Sequence, residues 1–150
     1  MDLASHRFMS YFEPEQAAHL CQIAVVESFA EETLVFEEGK AADFLYLVLE
    51  GEVEFSKRID NNKYQTVAIA KPDDFFGELG VLDGEPRSAR AVARGGSTLA
   101  KICREELIET LQFAKGSSVL QMFSFIVKNL RSTTDQYVDQ FVHKQKMVLV

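Results

Sequence analysis

Between Thr33 and Ile102 the chain falls into short apolar stretches that stop at turn-forming residues, and this pattern leaves few folds open. Asp43-Phe-Leu-Tyr-Leu-Val-Leu-Glu50 is a dense apolar run closed by Gly51. Val53 and Phe55 then alternate with Glu52, Glu54 and Ser56, the period of two expected of a half-buried strand. Asn61-Asn62 is expected to form a hairpin turn into the strand Tyr64–Ala70, because asparagine tolerates a positive φ. Two more strands are expected over Arg87–Ala93 and Thr98–Cys103, separated by Gly95-Gly96. Many short strands with regular turns point to a small antiparallel barrel or roll.

Helical patterns flank this core. From Phe8 to about residue 32, Leu20, Ile23, Ala24 and Phe29 recur at helical spacing. Glu13-Pro14-Glu15 suits a first turn, where proline loses no hydrogen bond and acids meet the positive end of the helix dipole. Arg104–Phe113 reads as a short helix ended by Lys115-Gly116, and Ser117 can cap a second helix reaching Lys146. Such a helix is about 45 Å long, more than a small roll needs for cover. Val119, Phe123, Ile126, Leu130, Tyr137 and Phe141 space as a coiled-coil seam, with Thr133 in the same stripe. Either this seam joins a homodimer or an unknown protein partner, or the helix packs on its own domain. The expected fold class is therefore α+β: an antiparallel, jelly-roll-like β-roll with an N-terminal helix and a long C-terminal helix. One domain over residues 1–150 is expected, with helix at about 8–32, roll at 33–103 and helices at 104–146.

Charge and composition narrow the function. The formal net charge is -7, which repels phosphate backbones and predicts no direct binding of DNA by this chain. Few residues follow the expected long helix, too few for a DNA-reading helix-turn-helix. No stretch has the length and apolarity of a membrane span, so a cytoplasmic protein is expected. Cys21 and Cys103 lie near no metal-ligand spacing and read as two buried thiols. A barrel metalloenzyme would need clustered histidines and carboxylates, yet His6, His19 and His143 all lie outside the expected strands. No metal site, no catalytic residue and no cofactor are expected, and the chain is not read as an enzyme.

The informative stretch runs from Phe75 to Ala89: Phe-Phe-Gly-Glu-Leu-Gly-Val-Leu-Asp-Gly-Glu-Pro-Arg-Ser-Ala. It joins two strands through one short helical turn. Gly77 allows a close approach of the backbone, and N–H groups unpaired near Glu78 and Leu79 make an anion site. Arg87 can form two parallel bonds to phosphate oxygens. Glu78 cannot serve the phosphate, since like charges repel; a carboxylate there suits a sugar hydroxyl. The plain alternative for Glu78 and Arg87 is a structural ion pair at a strand end.

This segment resembles the phosphate-binding cassette of cyclic nucleotide-binding domains, as in bacterial cyclic-AMP receptor proteins, protein kinase A regulatory subunits and gated channels. Phe76-Gly-Glu-Leu79 and Pro86-Arg-Ser-Ala89 carry the likeness, supported by Phe36-Glu-Glu-Gly39, Leu45–Gly51 and Asp74-Phe-Phe-Gly77. It covers most of the chain, from about Phe8 to the long helix. Two departures are minor: Asp73 stands where many members have glycine, and Gly80 replaces the commoner alanine.

The resemblance implies a sensor or regulatory domain that binds a cyclic nucleotide and signals through its C-terminal helix. The ligand site would comprise Gly77, Glu78, Leu79, Gly80, Arg87, Ser88 and Ala89. Arg87 and the N–H groups around Glu78 and Leu79 would hold the cyclic phosphate, Glu78 the ribose 2′-hydroxyl, and Ser88 a further phosphate-side bond. Ser88 in place of threonine favours cyclic AMP, with cyclic GMP second. Thr133 and Thr134 are candidate base contacts, because their hydroxyls fall where the bacterial receptors meet adenine; otherwise they are ordinary helix-surface residues. The alternative function is a degenerate member that keeps the fold for protein–protein contact and binds no nucleotide.

Overall fold

The computed structural model describes residues 1–113. Two short 3-10 turns, Leu3–Ser5 and Arg7–Tyr11, lead into helix α1 (Pro14–Ile23). Strands β1 (Val25–Phe29), β2 (Leu34–Phe36), β3 (Phe44–Asp60), β4 (Lys63–Ala70) and β5 (Phe75–Phe76) follow. Helix α2 (Glu78–Asp83), strand β6 (Arg90–Cys103) and helix α3 (Arg104–Phe113) complete the described chain. The expected antiparallel β-roll with flanking helices is what folds.

All six strands join one antiparallel sheet with the order β1-β6-β3-β4; β2 also pairs with β6, and β5 with β3. The long strands β3 and β6 form its spine, paired from Phe44↔Cys103 to Ser56↔Arg90. Here the structure corrects the expected strand breaks. Gly51 and Gly95-Gly96 do not end strands; the register slips between Val48 and Glu52 and the ladder resumes at Glu52↔Arg94. Gly51 has φ 77° and Gly95 φ 61°, conformations that re-aim a strand without ending it. The Ser97 hydroxyl lies 3.0 Å from the Glu52 carbonyl and 3.1 Å from that of Arg94, tying both sides of this corner together.

The dense run at the start of β3 is apolar throughout because both its faces are buried. Leu45, Leu47 and Leu49 face a cluster with Phe8, Phe12, Leu20, Phe75, Val81, Ile102 and Leu107, under the helices. Tyr46 and Val48 face the roll's interior with Val53, Phe55, Val67, Phe76, Ala89, Ala91 and Leu99. Alternation across a strand sorts one run into two cores.

Three further expectations are corrected. The N-terminal helical zone stops at Ile23, and Val25–Phe29 is a strand on the edge of β6, from Val25↔Lys101 to Phe29↔Ser97. Ala24 already has extended backbone, and the β-branched pair Val25-Val26 suits a pleated ladder better than a helical turn. The turn at Asn61-Asn62 forms, with Asp60 opposite Lys63, but neither asparagine takes a positive φ. Side chains hold it instead: the Asp60 carboxylate accepts from the Asn61 N–H at 2.7 Å, and Arg58 Nη2 donates to the Asn61 carbonyl at 2.7 Å. Finally, Cys21 and Cys103 are free but only half-buried; the Cys103 thiol reaches the Glu105 carboxylate at 2.8 Å.

Helix α1 begins as read, with Pro14 in its first turn and the Glu13 N–H bonded to Gln16 Oε1 at 3.3 Å. Ahead of it the N-terminal turns are pinned to the loop that enters β5. His6, 1% exposed, accepts from the Phe8 N–H at Nδ1 (3.1 Å), so its proton is on Nε2, which donates to the Asp74 carbonyl (3.1 Å). The Arg7 N–H donates to Asp73 Oδ1 at 2.7 Å, and its guanidinium meets Asp74 Oδ1 at 3.2 Å. Asp73 has φ 75°, the left-handed region that aspartate can adopt. Among the described residues no helix is long and apolar enough to cross a membrane. The long helix expected over 117–146, its seam, Thr133 and Thr134 lie outside the described residues.

Candidate functional site

The stretch Phe75–Ala89 leaves the sheet at β5, makes the single turn of α2 and returns towards β6. Gly77 caps α2 in the left-handed conformation, φ 84°. A β-carbon there would also lie 2.5 Å from Arg87 Nη1, so glycine is required for both backbone and space. On Gly80 a β-carbon would lie 2.5 Å from that of Ala42 and 3.0 Å from the Glu85 carbonyl oxygen. Gly80 is therefore the point where α2 lies flat against the loop before β3. Gly84, φ 75°, closes the turn as its N–H bonds back to the Gly80 carbonyl at 2.9 Å.

Arg87 is 6% exposed and precedes β6 instead of lying in it, a correction to the strand expected from residue 87. Its backbone bonds elsewhere: the Arg87 N–H donates to the Lys40 carbonyl at 2.8 Å, and the Gly39 N–H to the Arg87 carbonyl at 2.9 Å. These bonds hold it against the Phe36–Lys40 loop and out of the ladder. The side chain turns back under α2. Nη1 donates to the Gly77 carbonyl at 3.0 Å, Nη2 to the Phe44 carbonyl, and the guanidinium lies 4.3 Å from the centre of the Phe36 ring. Nε is buried with no partner.

Glu78 is 2% exposed, and its Oε2 is buried without a hydrogen bond. Burial pushes its carboxyl up to about 8, against the opposing pull of its own backbone N–H and of the Arg87 charge. Burial likewise lowers Arg87, with the nearby Tyr46, Asp43 and Glu78 groups acting against that. The two residues make no ion pair with each other, so they are not the structural ion pair that was the plain alternative. What the fold brings together is a buried cation held by carbonyls and a buried carboxyl with an unused oxygen. Unsatisfied buried polar atoms are costly, and Arg7 Nε and Arg90 Nε share that state elsewhere in the fold.

Of the remaining expected site residues, Ala89 is fully buried in the roll's core, Ser88 is exposed beside Arg87, and Leu79 lies in the first turn of α2. Phe36, Phe44 and Tyr46 were not among the residues expected around Arg87. Phe36 and Tyr46 stand in the stretches that support the family likeness, but nothing local marks their rings as neighbours of a cation. Among the described residues no group of three histidine, cysteine or carboxylate side chains is placed to hold a metal ion.

Comparison with known proteins identifies the family. The family model for the cyclic nucleotide-binding domain matches residues 26–112. A CRP-like cAMP-activated global transcriptional regulator of Mycobacterium tuberculosis is 27% identical over 127 residues, 85% of this chain and 56% of that protein. An uncharacterized ABC transporter ATP-binding protein of Mycobacterium bovis is 32% identical over 88 residues, 59% of this chain and 27% of that protein. The chain thus spans from about a quarter to just over half of the length of these curated relatives. Among solved structures, the Thermus thermophilus catabolite activator protein superposes with a TM-score of 0.74 at 24% identity, covering 87% of this chain and 60% of that one.

Proposed function

Since the chain belongs to the cyclic nucleotide-binding domain family, we propose that it senses cyclic AMP, with cyclic GMP as the weaker ligand. The observation that carries this reading is the pair of orphaned buried atoms, Arg87 Nε and Glu78 Oε2, on either side of the Gly77 turn. A ligand with an anionic phosphate and a free ribose hydroxyl answers both. The phosphate meets the Arg87 guanidinium and the N–H groups of Leu79 and Gly80, where α2 begins. The 2′-hydroxyl donates to Glu78, and the exposed Ser88 hydroxyl adds a bond on the phosphate side. Ala89 packs beneath and keeps the segment seated in the core.

The signal then passes as a population shift, because a ligand biases two conformations only by binding one better. The base engages the segment over 117–146 near Thr133 and Thr134, and a dimer mate or a protein partner reads the change. Two measurements test this. Calorimetry with cyclic AMP and cyclic GMP should give heat with both and tighter binding of cyclic AMP. Arg87→Ala should weaken binding by about tenfold or more, since each charge-assisted bond contributes roughly 1.5–3 kcal/mol. Lys63→Ala, at the exposed hairpin, should leave it unchanged. No heat with either nucleotide at high micromolar concentration would leave the interaction-module reading instead. Hydrogen exchange over residues 117–146 should slow on ligand binding; unchanged exchange would sink the coupling to that segment.

A further inference from the structure

Arg87 carries its charge into the fold with no described carboxylate at ion-pair distance. Two carbonyls take its terminal nitrogens and fix the edge of the guanidinium. The flat face is covered by Phe36, 4.3 Å from ring centre to the guanidinium carbon, and more distantly by Tyr46 at 5.9 Å. The Phe36 ring is itself held by Tyr46, Phe76 and Phe55, with centroids 5.8, 6.0 and 6.5 Å away. The loop that follows Phe36 also holds the Arg87 backbone, through Gly39 and Lys40. One segment, residues 36–40, thus grips Arg87 by backbone and by face.

An aromatic face attracts a cation most strongly where water is excluded, and a planar cation stacks on it in one orientation. Without the ring the two carbonyls hold only the guanidinium's edge, and the remaining freedom must be ordered when an anion arrives. We propose that Phe36 is a positioning residue: its ring locks the plane of Arg87 before ligand binds and so sets the affinity for the ligand's anionic group. This rests on the reading of Arg87 as the phosphate-holding residue.

The test uses Phe36→Leu, which keeps an apolar side chain but no ring, and Phe36→Tyr, which keeps the ring. Thermal melting first checks that both fold. In the free protein, NMR resonances of the Arg87 side chain should be shifted by the ring current in the wild type and in Phe36→Tyr. In Phe36→Leu that shift should be lost. Calorimetry with cyclic AMP should show binding weakened about fivefold in Phe36→Leu, the cost of ordering one long side chain. Phe36→Tyr should bind like the wild type. On an Arg87→Lys background, whose ammonium has no plane to lock, the leucine change should add less than about twofold. Wild-type affinity in Phe36→Leu, an equal loss on the lysine background, or an unshifted Arg87 would each overturn the positioning role while leaving the phosphate reading intact. If the wild type itself gives no heat, the phosphate reading fails and the positioning role with it.

Discussion

Glu78 has an ordinary carboxyl value of 4.5 once the chain unfolds, and burial raises it to about 8 in the folded protein. Between those values the folded state binds more protons than the unfolded one, so this group's contribution to stability is fully present below 4.5 and is lost as pH rises towards 8. Denaturant midpoints measured from pH 6.5 upward, where His6 no longer titrates, should therefore decline. Glu78→Gln, equal in shape and uncharged, should flatten the decline, and an unchanged slope would assign the proton to another group. Gly80 is the second residue with a sharp expectation. Its alanine variant drives a β-carbon to 2.5 Å from that of Ala42, so stability should fall by about 1–3 kcal/mol in denaturant unfolding. Neither effect depends on a ligand.

At the scale of elements, the N-terminal turns and the loop before β5 act as one piece. His6 accepts from one backbone N–H and donates to the Asp74 carbonyl, with Asp73 Oδ1 3.9 Å from Nδ1 and Arg7 alongside. Burial lowers its titration below 6.5, outweighing the pull of the Asp74 carbonyl and of the Asp73 and Asp74 charges. The unfolded chain then binds a proton that the folded chain resists, so this contribution is present above 6.5 and is lost as pH falls through the lowered value. A charged ring also cannot accept from the Phe8 N–H. His6→Ala should cost about 1–3 kcal/mol, the penalty for orphaning buried polar groups, and should remove that acid-side loss. Hydrogen exchange at Phe8 and Asp74 would show whether the clamp has opened; unchanged protection at both would mean that it does not hold the loop. Because Asp74 leads directly into Phe75-Phe76-Gly77, opening it should loosen the cassette while β3 and β6 stay protected.

For the molecule as a whole, ligand and stability are linked by mass action. Saturation at a hundredfold excess over Kd adds about 2.7 kcal/mol, which should raise the melting temperature by several degrees. The Arg87→Ala variant, once its own melting transition shows that it folds, should lose that rise. A rise that survives in Arg87→Ala would place the ligand elsewhere.

The cassette was legible because its chemistry is contiguous: Gly77, Glu78, Gly80 and Arg87 share one short stretch, and each type has a physical reason at its place. The period of two in β3, the proline that opens α1 and the helix Arg104–Phe113 were legible for the same reason, since their causes are local. Gly51 and Gly95-Gly96 were not, because a glycine that breaks a strand and one that bends it look alike until the opposite strand supplies a register. Val25–Phe29 depended on an open edge of β6, some seventy residues away, and its own residues fit helical spacing almost as well. The same limit hid the cage around Arg87. Its carbonyl from Phe44 and its ring from Phe36 are brought close by the return of the chain over the sheet. The sequence by itself determined which charges and turns this segment carries. Only the tertiary structure decided that Arg87 and Glu78 are buried side by side without pairing, because desolvation and stacking arise only when distant strands close over them.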